Sequence, residues 1–256
     1  MKICMIGTGY VGLVSGTCFA DIGHQVYCVD KDVSKINKLN SGISPIYEPG
    51  LDELIKKNHK AKRLYFTSDL KKAITVSDII FICVGTPNIK GSLKVDLSFV
   101  FKCTKEILAI TKKKKIIVTK STVPIGTGDQ IENIIKKKKK LFSVISNPEF
   151  LREGEAIRDF RYPDRIIIGS NSKNEFKTMK KLYSPLINKG AKFFTTSRRG
   201  AELIKYAANA FLATKITFIN EIANLCERSG INVKDIALGI GSDTRIGSRF
   251  LRPGPA

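Results

Sequence analysis

The sequence predicts an α/β protein: a doubly wound parallel sheet over residues 1–196, then a long connecting helix and the start of an all-α central domain over residues 197–256. Three observations predict it. Short strand-like runs alternate with helical patterns through the first span, the order that a parallel sheet with crossover helices requires. Several of those runs are continuously apolar, as strands covered on both faces must be. With 256 residues, 43% of them hydrophobic, the chain can also bury a sizeable core.

The first element organises the rest. Lys2-Ile-Cys-Met-Ile6 reads as a strand, Gly7-Thr-Gly9-Tyr-Val-Gly12 as a glycine turn, the residues to Ile22 as a helix, and 26–29 as a second strand closed by Asp30. Gly7 allows a tight turn that a Cβ would obstruct, Gly9 lets a pyrophosphate approach the backbone, and Gly12 lets the helix pack closely on the strand. The helix then offers free N–H groups and its positive dipole end to phosphates. Asp30, about 20 residues beyond the turn, is placed to accept hydrogen bonds from an adenosine ribose. A carboxylate there repels a 2′-phosphate, which favours NAD over NADP. A glycine turn alone is a weak signal. The strand before it, the helix after it and the acid closing the second strand make it a Rossmann-like, NAD-binding start.

The remaining elements follow in order. Residues 33–39 read as a helix, 41–50 as a loop, 51–58 as a helix and 64–66 as a strand. Ser68-Asp-Leu70 opens a further helix, and 77–84 contains a buried strand ending at Gly85-Thr86-Pro87. A helix over 96–110, a strand over 116–119, the turn 121–126, a helix over 128–135 and a strand over 141–146 come next. Residues 147–154 and onward through Asp159 and Pro163 read as loop, 165–168 as a strand, 173–183 as a helix and 191–194 as a last short strand. From Arg199 or Gly200 to Arg228 the pattern is one long helix stopped by Gly230. It is apolar around much of its girth, at Leu203, Ile204, Ala207, Phe211, Ile216, Phe218, Ile219, Ile222 and Leu225. Such a helix must be covered on several sides; it is expected to link two domains and to pack against another subunit, as a homodimer. A further helix covers 233–240. Open sheets bind ligands past the carboxyl ends of their strands. The glycine turn, Gly85-Thr86-Pro87 and Lys120-Ser121-Thr122 all fall at such ends, so a cofactor lying across them is expected.

Composition excludes several function classes. No apolar run reaches the roughly 20 residues that span a bilayer, and the first residues lead straight into the glycine turn, as a strand rather than a signal peptide does. A cytoplasmic location with no membrane partner is expected. The six cysteines are scattered, at 4, 18, 28, 83, 103 and 226, without a C-x-x-C pair. They read as reduced, buried thiols, and His24 and His59 do not complete a metal site, so no metal is expected. The net charge of +21 owes much to the runs 112–115 and 136–140. Both follow helical patterns, where cations suit a helix C-terminus and stay solvated. A nucleic-acid surface is the minor alternative, since interleaved aromatics and a recognition motif are lacking, and no nucleic-acid partner is expected, although the excess can draw anionic ligands.

A few polar residues stand where chemistry could use them. Lys205 and Asn209 share a face of the long helix; stacked on so apolar an element they need polar company or a cavity, unless the lysine merely snorkels. Glu149 and Glu153 follow a strand ended by Pro148 and point the same way if the segment turns helically; otherwise they are a solvated pair. The Thr122 hydroxyl can reach the cofactor crevice or simply form the turn.

The stretches Gly7-Thr-Gly-Tyr-Val-Gly-Leu13, Val84-Gly-Thr-Pro87, Lys120-Ser-Thr-Val-Pro124, Asn147-Pro-Glu-Phe-Leu-Arg-Glu-Gly154, Pro163-Asp-Arg-Ile166, Ala201-Glu-Leu-Ile-Lys-Tyr-Ala-Ala-Asn-Ala-Phe211 and Arg245-Ile-Gly247 run the length of the chain. Together they resemble the nucleotide-sugar dehydrogenases of the UDP-glucose/GDP-mannose dehydrogenase family. The resemblance implies two NAD-dependent hydride transfers from a sugar C6 alcohol, with a cysteine holding the intermediate as a thiohemiacetal and then a thioester. UDP-glucose, oxidised to UDP-glucuronate, is the substrate the motif wording favours; GDP-mannose or an N-acetylated UDP-sugar is the alternative, as is a catalytically inactive NAD-binding or regulatory role. By the same resemblance, Gly7, Gly9, Tyr10, Val11, Gly12, Asp30 and Lys35 hold the first part of NAD, Thr86 and Thr122 line its nicotinamide side, and Glu153 contacts cofactor. Thr122 also positions a water, and Glu149 assists proton transfer in thioester hydrolysis. Lys205 and Asn209 stabilise the developing oxyanion. Glu149, Phe150, Leu151, Lys205, Asn209 and Arg245 contact substrate, Arg245 in a neighbouring subunit. The family's nucleophilic cysteine follows the counterpart of Leu251-Arg-Pro-Gly-Pro255, and none of the six cysteines here sits in that motif. The chain is therefore expected to bind NAD but not to complete the four-electron oxidation.

Overall fold

The computed structural model describes residues 1–255, and at Lys139 the backbone alone; Ala256, with which the second expected domain ends, lies outside the described residues. The elements are β1 (Lys2–Ile6), α1 (Tyr10–Asp21), β2 (Gln25–Val29), α2 (Val33–Asn40), α3 (Leu51–Lys60), β3 (Leu64–Thr67), α4 (Leu70–Val76), β4 (Ile79–Ile82), α5 (Ser98–Ile110) and β5 (Lys115–Thr119). They continue with α6 (Thr127–Ile135), β6 (Phe142–Ser146), α7 (Ala156–Arg161), β7 (Arg165–Gly169), α8 (Lys173–Leu182), α9 (Ser184–Ile187), β8 (Lys192–Thr196), α10 (Arg198–Ser229) and α11 (Val233–Gly241). The chain forms two compact units, Met1–Leu203 and Ile204–Ala256.

The first unit holds one eight-stranded sheet in the order β3-β2-β1-β4-β5-β6-β7-β8. The first six strands are parallel, and their order reverses between β1 and β4, which leaves a crevice at the carboxyl ends of those two strands. Alternate strand residues bury on opposite faces. Met5, Cys28, Phe81, Val118 and Ile145 join one core with residues of α1, α3, α7 and α8. Cys4, Ile6, Ile80, Ile82, Ile117 and Val144 join another with residues of α4, α5 and α6. This is the doubly wound architecture. One part runs the other way: β7 meets β6 antiparallel at the single pair Ser146–Gly169, and β8 lies parallel to β7. The residues 147–164 return the chain without carrying it back to the amino edge of the sheet, so the last two strands extend the sheet in the opposite sense.

Local chemistry sets the boundaries. Asp32 and Asp69 cap α2 and α4, accepting from Lys35 N and Lys72 N. The stretch around Asp159, expected to be loop, contains α7. Its support is tertiary: Ile157 and Phe160 are buried, and the Phe160 ring meets Phe19 of α1 edge-on at 5.0 Å. Lysine 115 also departs from expectation. It is buried rather than solvated, the first residue of β5, and its ammonium donates to Thr75 O at 3.1 Å and to Ser77 O. The cation does serve a helix C-terminus, but that of α4 rather than of the helix before it. Lysines 136–138 and 140 are exposed, in a 3-10 turn that continues α6.

In the second unit α10 ends as its glycine dictates: Gly230 takes φ +69°, and Ile231 N donates back to Cys226 O at 2.9 Å. Asn232 caps α11 through Lys234 N. The tail is tied to the helix by a two-point clasp, Asn220 Nδ2 to Gly254 O at 2.8 Å and Gly254 N to Asn220 Oδ1 at 2.9 Å, and by Lys215 Nζ to Ile246 O at 2.9 Å. Of the apolar α10 residues named above, only Ile219 is buried within this chain; Phe211, Phe218 and Leu225 are exposed. Among the described residues Ile204, Ile216 and Ile222 are half-buried.

Candidate functional site

The glycine turn connects β1 to α1 beside the end of β4. Gly7 sits at φ +101°, and a Cβ there would lie 2.7 Å from Cys83 O. At Gly12 a Cβ would lie 1.9 Å from Gly7 O. Gly9 differs: its backbone is extended, at φ −70°, and a Cβ would meet nothing within 4 Å. Gly9 is the N-cap of α1 and no side chain caps the helix, nor is there an acid in its first turn. The first N–H groups thus lack side-chain partners beside open space, a cradle suited to a pyrophosphate. Gly16, which sequence reasoning passed over, completes the packing: a Cβ there would come within 2.5 Å of Cys28 Sγ.

Asp30 closes β2 as expected. Its Oδ2 accepts from Thr8 N at 3.0 Å and Thr8 Oγ1 at 2.7 Å, its Oδ1 from Asp32 N at 3.1 Å, and Lys35 Nζ stands 3.5 Å away. Burial works against its charge, but these hydrogen bonds and the lysine outweigh it and hold the carboxyl below the usual range. An ionised acceptor is therefore fixed at the end of β2, beside the glycine turn.

The loops after β4 and β5 are stitched together. Thr86 Oγ1 donates to Thr122 O at 2.9 Å, and Ser121 Oγ to Val84 O at 2.7 Å. Cys83, at the end of β4, is buried; desolvation pushes its thiol up to about 12, with Lys120 lowering and Glu149 raising it. Glu149 and Lys120 thus lie within electrostatic reach of the end of β4.

Residues 147–154 make no helical turn, so the helical alignment considered for Glu149 and Glu153 does not occur. Pro148 and the anchoring of Asn147 explain why. Asn147 is buried; its Nδ2 donates to Ile167 O at 3.0 Å, and its Oδ1 accepts from Tyr183 Oη at 2.6 Å, which fixes the segment between β6 and β7. Glu149 then folds onto its own loop, Oε2 accepting from Leu151 N at 2.5 Å, while Glu153 is exposed. The Phe150 ring lies under the Arg165 guanidinium at 4.2 Å. Val11 and Leu151 are half-buried. Tyr10 turns its hydroxyl to this loop, bonding Glu48 and, at 3.1 Å, Gly154 N.

Glu202, for which no role was expected, is buried and caps α6: Oε2 accepts from Gly126 N at 2.6 Å, Oε1 from Gly128 N at 2.8 Å and Ser146 Oγ at 3.1 Å. Arg198 and Arg199 pair with Asp129 at 3.0 and 2.6 Å. The start of α10 thereby holds the turn that follows Thr122. A glutamate inside an apolar helix was the available signal.

In the second unit, Lys205 and Asn209 lie one turn apart on α10, the first buried and the second exposed. Arg245 is exposed and paired with Asp243 of its own loop at 2.6 Å. Among the described residues no group of three or more His, Cys, Asp or Glu side chains is placed to hold a metal, and no helix is long and apolar enough to cross a membrane.

Comparison with known proteins bears on the same elements. Residues 1–187 match the profile of the UDP-glucose/GDP-mannose dehydrogenase family, NAD binding domain, and residues 199–256 that of the same family's central domain. The UDP-glucose 6-dehydrogenase of Rhizobium meliloti is 56% identical over 260 residues, covering 100% of this chain and 59% of its own. UDP-glucose 6-dehydrogenase TuaD of Bacillus subtilis is 52% identical, covering 99% of this chain and 55% of its own. The structure of a UDP-glucose dehydrogenase from Pyrobaculum islandicum superposes with a TM-score of 0.93 at 36% identity, over 98% of this chain and 59% of that one. A ternary complex of GDP-mannose dehydrogenase from Pseudomonas aeruginosa does so with 0.89 at 34%, over 100% and 60%. The chain thus spans less than two thirds of the length of these relatives.

Proposed function

Because the chain belongs to the UDP-glucose/GDP-mannose dehydrogenase family and carries its NAD-binding domain, we propose that it is the cofactor-binding part of an enzyme that oxidises UDP-glucose to UDP-glucuronate. The observation that carries the reading is the pairing of an uncapped, open helix start at Gly9 with the ionised Asp30 across the turn. In this reading, Gly9, Tyr10, Val11 and Gly12 present backbone N–H groups to the pyrophosphate, while Asp30 accepts from the ribose hydroxyls and Lys35 orients Asp30. Thr86 and Thr122 line the nicotinamide side at the ends of β4 and β5. NAD, when bound, supplies the hydride acceptor. Glu153 meets the cofactor, and Glu149 moves the proton of the hydrolytic step, with Phe150 and Leu151 beside the sugar. Lys205 and Asn209 stabilise the developing alkoxide, and Arg245 reaches the site of a second subunit. The relatives named for UDP-glucose favour that sugar over GDP-mannose, whose dehydrogenase shares the fold at lower identity.

The thiolate the reaction needs is not supplied by the cysteines in hand: all six are buried, and burial raises the thiols of Cys18 and Cys83 to about 12 and of Cys103 to about 11. Six unpaired thiols fit a reducing, cytoplasmic setting. The exposed Phe211, Phe218 and Leu225 of α10 fit a homodimer that covers them. Calorimetric titration with NAD and NADP tests the reading: saturable binding with at least about tenfold preference for NAD, or about 1.4 kcal/mol, supports it, and equal or absent binding refutes it. With UDP-glucose and NAD the 256-residue chain alone should form no UDP-glucuronate, because the second oxidation passes through a thioester; UDP-glucuronate formed with two NADH per sugar would mean that one of its own cysteines is the nucleophile.

A further inference from the structure

Only Gly42 and Glu48 are buried in the loop of residues 41–50, and Glu48 is 6% exposed. A carboxylate out of water must be compensated by donors, and each donor here comes from a distant segment. Oε2 accepts from the Tyr10 hydroxyl and from Gly154 N at 2.9 Å; Oε1 accepts from Ile157 N at 3.3 Å, in the first turn of α7. The Tyr10 hydroxyl also meets Gly154 N at 3.1 Å and Arg152 O at 3.2 Å. The loop that carries Glu48 is itself braced: Ser44 N donates to Asp52 Oδ1 at 2.8 Å, Ser44 Oγ to Ile46 O at 2.8 Å, and Gly50 turns the chain at φ +79° into α3.

We infer that Glu48 is a positioning residue of the cofactor site: its carboxylate clasps Tyr10, the first residue of α1, to residues 152–157, and the affinity for NAD depends on the clasp. The inference rests on the reading of the glycine turn as the NAD cradle. Tyr10 stands where the pyrophosphate would meet the helix, and Gly154 directly follows Glu153, on the loop that also bears Glu149. Glu48 touches neither cofactor nor reacting atoms in this scheme; it sets the spacing between the two segments that do. A role confined to capping α7 would need only the bond to Ile157 N, and would leave the shared contact between Tyr10 and Gly154 without a purpose.

The test uses the 256-residue chain with NAD as the probe, in Glu48→Gln, Tyr10→Phe and the double variant. Glu48→Gln keeps the size but turns one acceptor into a donor facing groups that donate; Tyr10→Phe opens the clasp from the other side. Each should weaken NAD about five- to tenfold, and the double variant should bind no worse than the weaker single, because both open one device. Amide exchange at Gly154 and Ile157 should quicken in both, while Phe81 in β4 keeps its protection. Variants that bind NAD within about twofold of the parent, whatever their melting temperature, overturn the proposal, as do single effects that multiply in the double variant. A parent chain that takes up no NAD contradicts the cofactor reading itself and removes the proposal with it; a parent that binds, with variants that bind equally, removes the proposal alone.

Discussion

Gly9 and Gly12 share one turn and answer to different demands. A side chain at Gly12 has no room beside Gly7 O, so Gly12→Ala should destabilise the fold by about 1–3 kcal/mol, as overpacking does, and lower the denaturation midpoint. A side chain at Gly9 meets nothing of the protein within 4 Å. Gly9→Ala should therefore melt within about 0.5 kcal/mol of the parent, yet lose NAD affinity about tenfold, because its methyl stands where the pyrophosphate would come. Melts and titrations of the two variants separate packing from binding. Acid stability is also a single-residue matter. Burial raises the Asp21 carboxyl, but hydrogen bonds from Lys57, Arg161 and Asn58 outweigh it and hold it down to about 2. A depressed carboxyl contributes stability above its unfolded value of about 3.9, and that stability fades as pH falls through about 2. Denaturation of parent and Asp21→Asn should differ at neutral pH and converge as the pH falls from about 4 to about 2; an unchanged gap would contradict the assignment. The glycine turn and Asp30 were legible because their signal is local. Glu48 and Asn147 were not, because what makes them important is a bond to a residue far along the chain.

At the scale of elements, the strand and helix pattern was readable through most of the chain, since apolar runs and period report burial directly. The exceptions share a cause. Helix α7 depends on Phe19 and Glu48 for its packing and its cap, and Lys115 is drawn inward by the carbonyls that end α4; neither support adjoins the element it stabilises. The reversal of β7 and β8 likewise has no local mark. Helix α6 is capped from the start of α10 by Glu202. Glu202→Ala leaves Gly126 N–H, Gly128 N–H and the Ser146 hydroxyl without that acceptor, and should cost about 1–3 kcal/mol, read from urea denaturation. A cost below about 0.5 kcal/mol would mean the cap is replaced by water.

For the whole molecule, the net charge of +21 sets the tone of every encounter. An anionic dinucleotide should be drawn in over a distance, so raising salt from about 0.05 to about 0.5 M should slow its association several-fold. The family was readable from motifs spread over the whole chain, and so was the apolar girth of α10; which of its side chains stand exposed, Phe211, Phe218 and Leu225 among them, needed the structure. Everything at this scale depends on the cradle between β1, α1 and β2. A crystal of the chain equilibrated with millimolar NAD tests it most directly. The account predicts adenosine diphosphate density with the pyrophosphate over Gly9 and the start of α1, and ribose hydroxyls within hydrogen-bond distance of Asp30; an intact fold with that crevice empty would contradict it.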